Sequence, residues 1–157
     1  MSANISAGLL MYSIKSGELK VFLVHPGGPF FANRDNGYWG IPKGLQDENE
    51  ELLKTAKREF EEETGIKPEG DFIPLGSVKQ KTGKIVHAWG FKWEDDSKIE
   101  IKCNEFEIEW PPKSGKKLTF PEVDKGEFFT VSEANEKMIE AQREFIARLE
   151  AHLKSEA

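Results

Sequence analysis

A single cysteine, Cys103, in 157 residues excludes an internal disulfide and a cysteine-built zinc site, and Cys103 reads as a small packing residue. No uninterrupted apolar run approaches the roughly 20 residues that a membrane-spanning helix needs. Basic residues are outnumbered, 22 against 28 acidic ones, and the formal net charge is −6. That balance removes the general electrostatic grip on which nucleic-acid binding relies, so an anionic substrate needs local basic residues or bound metal. The opening stretch MSANISAGLLMYSIKSG has no basic segment before its short apolar part, which argues against a secretory signal and makes the cytoplasm the expected location. Internal repeats, low-complexity tracts and linkers long enough to divide the chain are also missing.

What is present suits one soluble globular domain over residues 1–157: 38% hydrophobic and 32% charged residues in a chain near the usual domain size. No feature specifies an oligomeric state. The runs SAGLLMYSI and ELKVFLVH, separated by KSG, predict two early strands joined by a turn. Residues 26–44, PGGPFFANRDNGYWGIPKG, are rich in Gly, Pro and Asn and predict a long ordered loop, a place where function concentrates. DFIPLGSVKQ, GKIVHAWGFKW, EFEIEW and GEFFTV have strand character and together predict a mixed sheet. Ser132 is positioned to cap a second helical region, with Phe145, Ile146, Leu149 and Leu153 as its apolar stripe.

The most sharply bracketed element is a helix over residues 48–64. Asp47 and Glu50 have capping-box spacing at its start, and Gly65 suits the residue just past its end. At about 100° per residue, Leu52, Leu53, Ala56 and Phe60 share one arc that should pack on the sheet. Glu59, Glu62 and Glu63 border that arc, whereas Glu61 projects to nearly the opposite side. Most acidic runs are solvated surface, but Glu59 and Glu63 form an i,i+4 like-charge pair at the helix end that already carries partial negative charge. No Lys lies four residues beyond to offset them. A hard divalent cation such as Mg²⁺, which prefers carboxylate oxygens and shares its coordination with phosphates, removes the difficulty.

Reading outward, GLQDENEELLKTAKREFEEETGI, residues 44–66, holds Gly44, Glu50, Arg58, Glu59, Glu62, Glu63 and Gly65 at fixed positions, with Phe60 and Ile66 at apolar ones. This resembles the Nudix hydrolase box, G-x5-E-x7-R-E-U-x-E-E-x-G-U. The resemblance implies an α/β/α sandwich with a mixed sheet and hydrolysis of a nucleoside diphosphate linked to another group, assisted by Mg²⁺ or Mn²⁺. It further implies Glu59, Glu62 and Glu63 as metal ligands, the Gly44 carbonyl beside them, and Arg58 orienting the acids. Glu50 and Gly65 are read as structural. Family members often add an acid from beyond the box, and PEVDKGEFFTVSEA resembles the supplying segment. Glu122 is therefore the first candidate and Glu109, in the alternating strand Glu105–Glu107–Glu109, the second.

Lys43, directly before Gly44, is the best-placed phosphate contact, with Arg34, Lys79 and Lys81 as further basic candidates. Tyr38 leads Phe31, Trp39 and Trp89 as a surface for a nucleobase because it lies in the long loop. His87 alternates with Ile85 and Trp89 and reads as a core or pocket-wall residue. The segment WGIPKG looks more like dinucleoside polyphosphate hydrolases than like the Pro-Gly-Gly of many nucleoside triphosphate cleaners. The expected partner is a nucleotide-type small molecule. Competing readings are a nucleoside triphosphate or nucleotide-sugar pyrophosphatase and, from another class, a ligand-binding regulator that keeps the fold without hydrolysis.

Overall fold

The computed structural model describes residues 5–94 and 99–156; residues 1–4, which open the stretch read against a secretory signal, lie outside them. The long strand β1 (Ile5–Lys15) occupies the middle of a mixed sheet. It runs parallel to β5 (Ile85–Lys92) and antiparallel to β2 (Glu18–Pro26) and β3 (Lys43–Leu45). Outside these lie β4 (Ile73–Lys79), antiparallel to β5, and β8 (Val123–Thr130), antiparallel to β2. Beyond α1 (Leu52–Thr64), α2 (Val131–Lys137) and α3 (Arg143–Ser155) supply the remaining helices.

β1 is buried from Ser6 to Ser13, the signature of a strand covered on both faces. Its side chains divide by alternation. Ala7, Leu9 and Met11 join Phe22, Phe91, Ala56 and Phe60 beneath α1. Leu10 and Tyr12 join Leu23, Val86, Met138, Phe145, Ile146 and Leu149 beneath α2 and α3. The layers are therefore helix, sheet, helix, as the box resemblance implies. Phe60 is fully buried and meets Phe91 edge to face at 5.2 Å; truncation at such a position costs about 3–5 kcal/mol.

Three expectations are corrected. The first helix begins at Leu52, and its cap residue Glu51 makes no side-chain cap bond. Asn49 adopts φ 64°, which breaks helical continuity, and Asp47 and Glu50 instead close a turn of their own. The second helix is capped by Thr130, not Ser132, through a reciprocal box with Glu133. EFEIEW does not enter the main sheet: β6 (Glu105–Glu109) pairs only with β7 (Lys117–Pro121), forming a separate two-stranded arm. At the other end of α1, Gly65 is left-handed at φ 79° and returns its N–H to Glu61 O at 2.8 Å, as the sequence predicts. Cys103 packs beside the α1-side core.

The pairing along β1 makes room for a site. β2 holds Tyr12 to Lys15, while β3 takes over at Ser6 to Gly8. Gly8 is required there, because a Cβ would lie 2.7 Å from the Lys43 Cβ and run into the Pro42 carbonyl. Between β2 and β3 the long loop departs and returns, stitched by reciprocal Val24–Gly40 hydrogen bonds of 2.9 and 3.0 Å.

Candidate active site

Arg58 is the centre of the acidic cluster. Its Nε donates to Glu50 Oε2 at 2.9 Å and its Nη2 to Glu50 Oε1 at 3.0 Å, a two-point clamp. Nη1 donates to Glu59 Oε2 at 2.7 Å and reaches Glu62 at 3.4 Å. Asp47 lies 3.4 Å away. Thr55 and the Asp47 N–H complete the shell around Glu50, which is held well below the usual glutamate range, at about 2, chiefly by Arg58. Burial and the neighbouring Glu62 push the Glu59 carboxyl upward, with Arg58 pulling the other way.

Glu63 is held by a different group. Its Oε2 accepts the Lys43 N–H at 3.1 Å, and burial, reinforced by Glu59, raises its carboxyl to about 8. Glu61 is exposed, as the helical angle predicts, but so is Glu62, which the same angle places at the margin of the core. Gly44 passes directly against Glu59, and an added Cβ would overlap that carboxylate. The glycine at position 44 thus has a steric basis in its packing against Glu59. Among the described residues no three His, Cys, Asp or Glu side chains are gathered tightly enough to form a metal cluster. Arg58 draws Glu59 one way while the Lys43 amide holds Glu63 another.

Beside Glu63 opens a small cleft of about 130 Å³. Tyr38, Lys43, Glu63 and Glu122 share its lining with the apolar walls Val24, Ile41 and Ile139. Burial first, then Lys84, lowers the Lys43 ammonium pKa, while Glu63 and Glu59 oppose the shift. Four of the sequence-derived candidates are therefore brought together. Others are not. Glu109 accepts the Lys113 and Gly115 N–H groups at 2.9 and 3.2 Å, organising the tip of the β6–β7 arm. Lys79 and Lys81 border a separate hollow with Arg143, Lys81 lying 4.0 Å from Glu140. Arg34 sits over the Tyr38 ring at 5.7 Å and does not line the cleft. Trp39 is buried, Trp89 packs on the α1 side, and His87 is half-buried on β5.

The loop carrying Tyr38 is fixed by groups that sequence reading did not single out. Buried His25 faces Asp124 Oδ1 at 2.8 Å through Nδ1 and the Arg34 carbonyl at 2.6 Å through Nε2. Asp35 accepts from Trp39 Nε1 at 2.8 Å and from Lys137 Nζ at 2.6 Å. Gln142 also lines the cleft. Its signal was available as the polar member of the helically spaced series Met138, Phe145, Ile146 and Leu149.

Comparison with known proteins agrees with this architecture. The chain belongs to the NUDIX domain family, whose model matches residues 4–149, and its class is that of the Nudix hydrolases. Among solved structures, a Caenorhabditis elegans Ap4A hydrolase binary complex matches with TM-score 0.70 and 18% identity, covering 96% of this chain and 98% of that one. The NUDIX domain of Shewanella oneidensis NrtR, complexed with ADP ribose, matches with TM-score 0.68 and 17% identity over 98% and 90%. A MutT/nudix family protein from Listeria innocua gives 0.66 and 18% over 99% and 97%. At these identities the likeness is one of fold. No curated protein sequence matches the chain. No helix among the described residues is long and apolar enough to cross a membrane.

Proposed function

We propose that this protein is a metal-dependent pyrophosphohydrolase that cleaves a nucleoside diphosphate linked to another group, with a dinucleoside polyphosphate such as diadenosine tetraphosphate as its substrate. The observation that carries the reading is the meeting of one box acid, Glu63, with Lys43, Tyr38 and Glu122 around one cleft. The proposed setting is a single cytoplasmic domain.

The donor chemistry fits a hard divalent cation. Glu63 is a carboxyl forced toward neutrality by burial and by other carboxylates, so positive charge at this place relieves the very interactions that raise it. Glu59, Glu62, Glu63 and the Gly44 carbonyl would hold Mg²⁺ or Mn²⁺. When bound, the metal neutralises phosphate charge and lowers the pKa of the attacking water. Arg58 fixes Glu59 through its 2.7 Å bond. Glu122 takes the proton of the attacking water, Lys43 balances charge on a phosphate remote from the one attacked, and Tyr38 stacks on a nucleoside. No covalent intermediate is required.

A panel of diadenosine tetraphosphate, nucleoside triphosphates and nucleotide sugars, assayed for phosphate release with and without added phosphatase in Mg²⁺ or Mn²⁺, tests activity and substrate together. Preferred cleavage of diadenosine tetraphosphate is expected. Faster turnover of a triphosphate or nucleotide sugar would reassign the substrate, and silence on every compound would favour the non-hydrolytic regulator.

A further inference from the structure

His25 stands where the regular pairing of β2 with β8 breaks. His25 pairs with Lys125 but Pro26 pairs with Val123, so the register passes over Asp124. An extra residue at such a point is re-aimed relative to the alternation of its strand. Asp124 accordingly reaches the imidazole, its Oδ1 2.8 Å from Nδ1, while Nε2 lies 2.6 Å from the Arg34 carbonyl. Both partners are acceptors, so both ring nitrogens must carry a proton for both bonds to exist. Only the imidazolium satisfies that geometry. At 1% exposure the ring cannot exchange a lost bond for solvent.

The Arg34 carbonyl belongs to the turn that carries Tyr38. The Tyr38 N–H donates to Asp35 O at 3.1 Å, and the Arg34 guanidinium stands over the Tyr38 ring at 5.7 Å. Trp39, next along, meets the His25 ring edge to face at 5.3 Å. The other charged groups on this side are Lys125 and Glu127 of β8, Arg34 and Asp35 of the loop and Lys137 of α2, which share one hollow with Trp39. Asp35 is engaged by Lys137 at 2.6 Å, whereas Asp124 contacts the imidazole directly. When His25 gives up one proton, the Asp124 carboxylate, the stronger acceptor, keeps the other on Nδ1. Nε2 then turns a lone pair toward the Arg34 carbonyl, and a hydrogen bond becomes a repulsion. Building on the nucleotide reading above, we propose that His25 is a positioning residue: its imidazolium latches the Arg34 turn to β8 and so holds Tyr38 at the cleft, and its neutral form releases that turn. The doubly bonded state is the protonated one, so latching is complete at low pH and is lost as pH rises through the titration of His25.

The test compares wild type, Asp124→Asn and His25→Gln between about pH 5 and 8. It follows ring-nitrogen protonation by nitrogen NMR, exchange of the Arg34 and Tyr38 amides corrected for intrinsic rates, and the calorimetric Kd of adenosine monophosphate in saturating Mg²⁺. That probe has no anhydride to cleave. The chain has three histidines, and His25→Gln identifies the relevant signal. In Asp124→Asn the side-chain amide can donate to Nδ1, which keeps the proton on Nε2 and preserves the Arg34 bond in the neutral ring. Wild type should show both nitrogens protonated at the low end and Nδ1 alone at the high end, with protection of the two amides falling about fivefold. Asp124→Asn should keep its protection within about twofold, a rescue that a merely structural contact would not give. Cleft groups such as Glu63 titrate in every protein compared, so affinity is read as the ratio of wild-type to Asp124→Asn Kd, expected to rise about fivefold with pH. One protonated nitrogen throughout, protection that ignores pH, or Asp124→Asn tracking wild type would overturn the latch. A working latch with an unmoved affinity ratio would overturn the positioning role alone. If wild type neither binds adenosine monophosphate nor cleaves diadenosine tetraphosphate, the nucleotide reading fails and the positioning role fails with it.

Discussion

Glu50 offers a direct measure of how strongly the acidic cluster depends on Arg58. The two-point clamp, the Thr55 hydroxyl at 2.7 Å and the Asp47 N–H at 3.2 Å all favour the ionised form. Together they take Glu50 from the ordinary 4.5 to about 2. A pKa depressed by folding contributes stability that is complete above the unfolded value, near 4.5, and is lost as pH falls toward 2. The full shift corresponds to about 3 kcal/mol. Partial solvent access, 18% for the Glu50 side chain and 31% for Arg58, reduces the expectation to about 2–3 kcal/mol. Glu50→Gln keeps one oxygen to accept from Thr55 and Asp47, but it removes the charge and replaces the acceptor of the Arg58 Nε–H by an NH2 group. Urea unfolding of the metal-free protein, followed by tryptophan fluorescence from pH 7 to pH 3, should therefore show wild type more stable by about 2–3 kcal/mol at neutral pH. More than half of that gap should vanish by pH 3. The raised carboxyls Glu59 and Glu63 titrate in both proteins, so their effect largely cancels in the difference. A gap that stayed constant across this range would refute the charge argument and leave only a packing defect.

Gly44→Ala should cut turnover by a hundredfold or more while circular dichroism stays native, because the new methyl displaces the Glu59 carboxylate. Under saturating Mg²⁺, Glu62→Gln should reduce turnover by several orders of magnitude and exposed Glu61→Gln by less than twofold; equal tolerance would dismiss the ligand assignment. Lys43→Met and Tyr38→Ala should each lower kcat/KM for diadenosine tetraphosphate by about 1–3 kcal/mol in transition-state terms, with a much smaller effect on a nucleoside triphosphate. Glu122→Gln should abolish most activity without unfolding the protein, while Glu109→Gln, at the tip of the arm, should leave turnover near wild type; the reverse pattern would move the base to Glu109.

The parts of the molecule that could be read in advance are those whose causes are local. Helical angle alone separated exposed Glu61 from Glu59 and Glu63, though not from Glu62, which is exposed as well, and the left-handed Gly65 ended α1 where a residue without Cβ is needed. Alternation identified EFEIEW as a strand but could not choose its partner. That choice depends on β7, whose Leu118 and Phe120 stand opposite Ile108 and Phe106, and pairing is a property of two segments. Glu50 was misread as a capping residue for a related reason. Its partner Arg58 lies eight positions away, and the contact exists only because Asn49 and the following turn bring Glu50 back along the helix. The basic candidates divide likewise: Lys43 reaches the cleft from a strand, whereas Lys81 follows its hairpin to another hollow.

The crowding of acids at the end of α1 is thus only partly neutralised by the protein itself. One guanidinium serves Glu50, Glu59 and Glu62, and it spends its best geometry on Glu50, the member farthest from the cleft in chemical role. Glu63 receives only a backbone N–H and shares its surroundings with Glu59 and Glu122, which is why its carboxyl rises while that of Glu50 falls. Opposite shifts within one helix and its approach turn separate the two jobs physically. Glu50 stays ionised to hold Arg58, and through it Glu59, in place. Glu63 is left with unsatisfied demand for positive charge beside Lys43, at the position where the proposed metal and phosphate would meet.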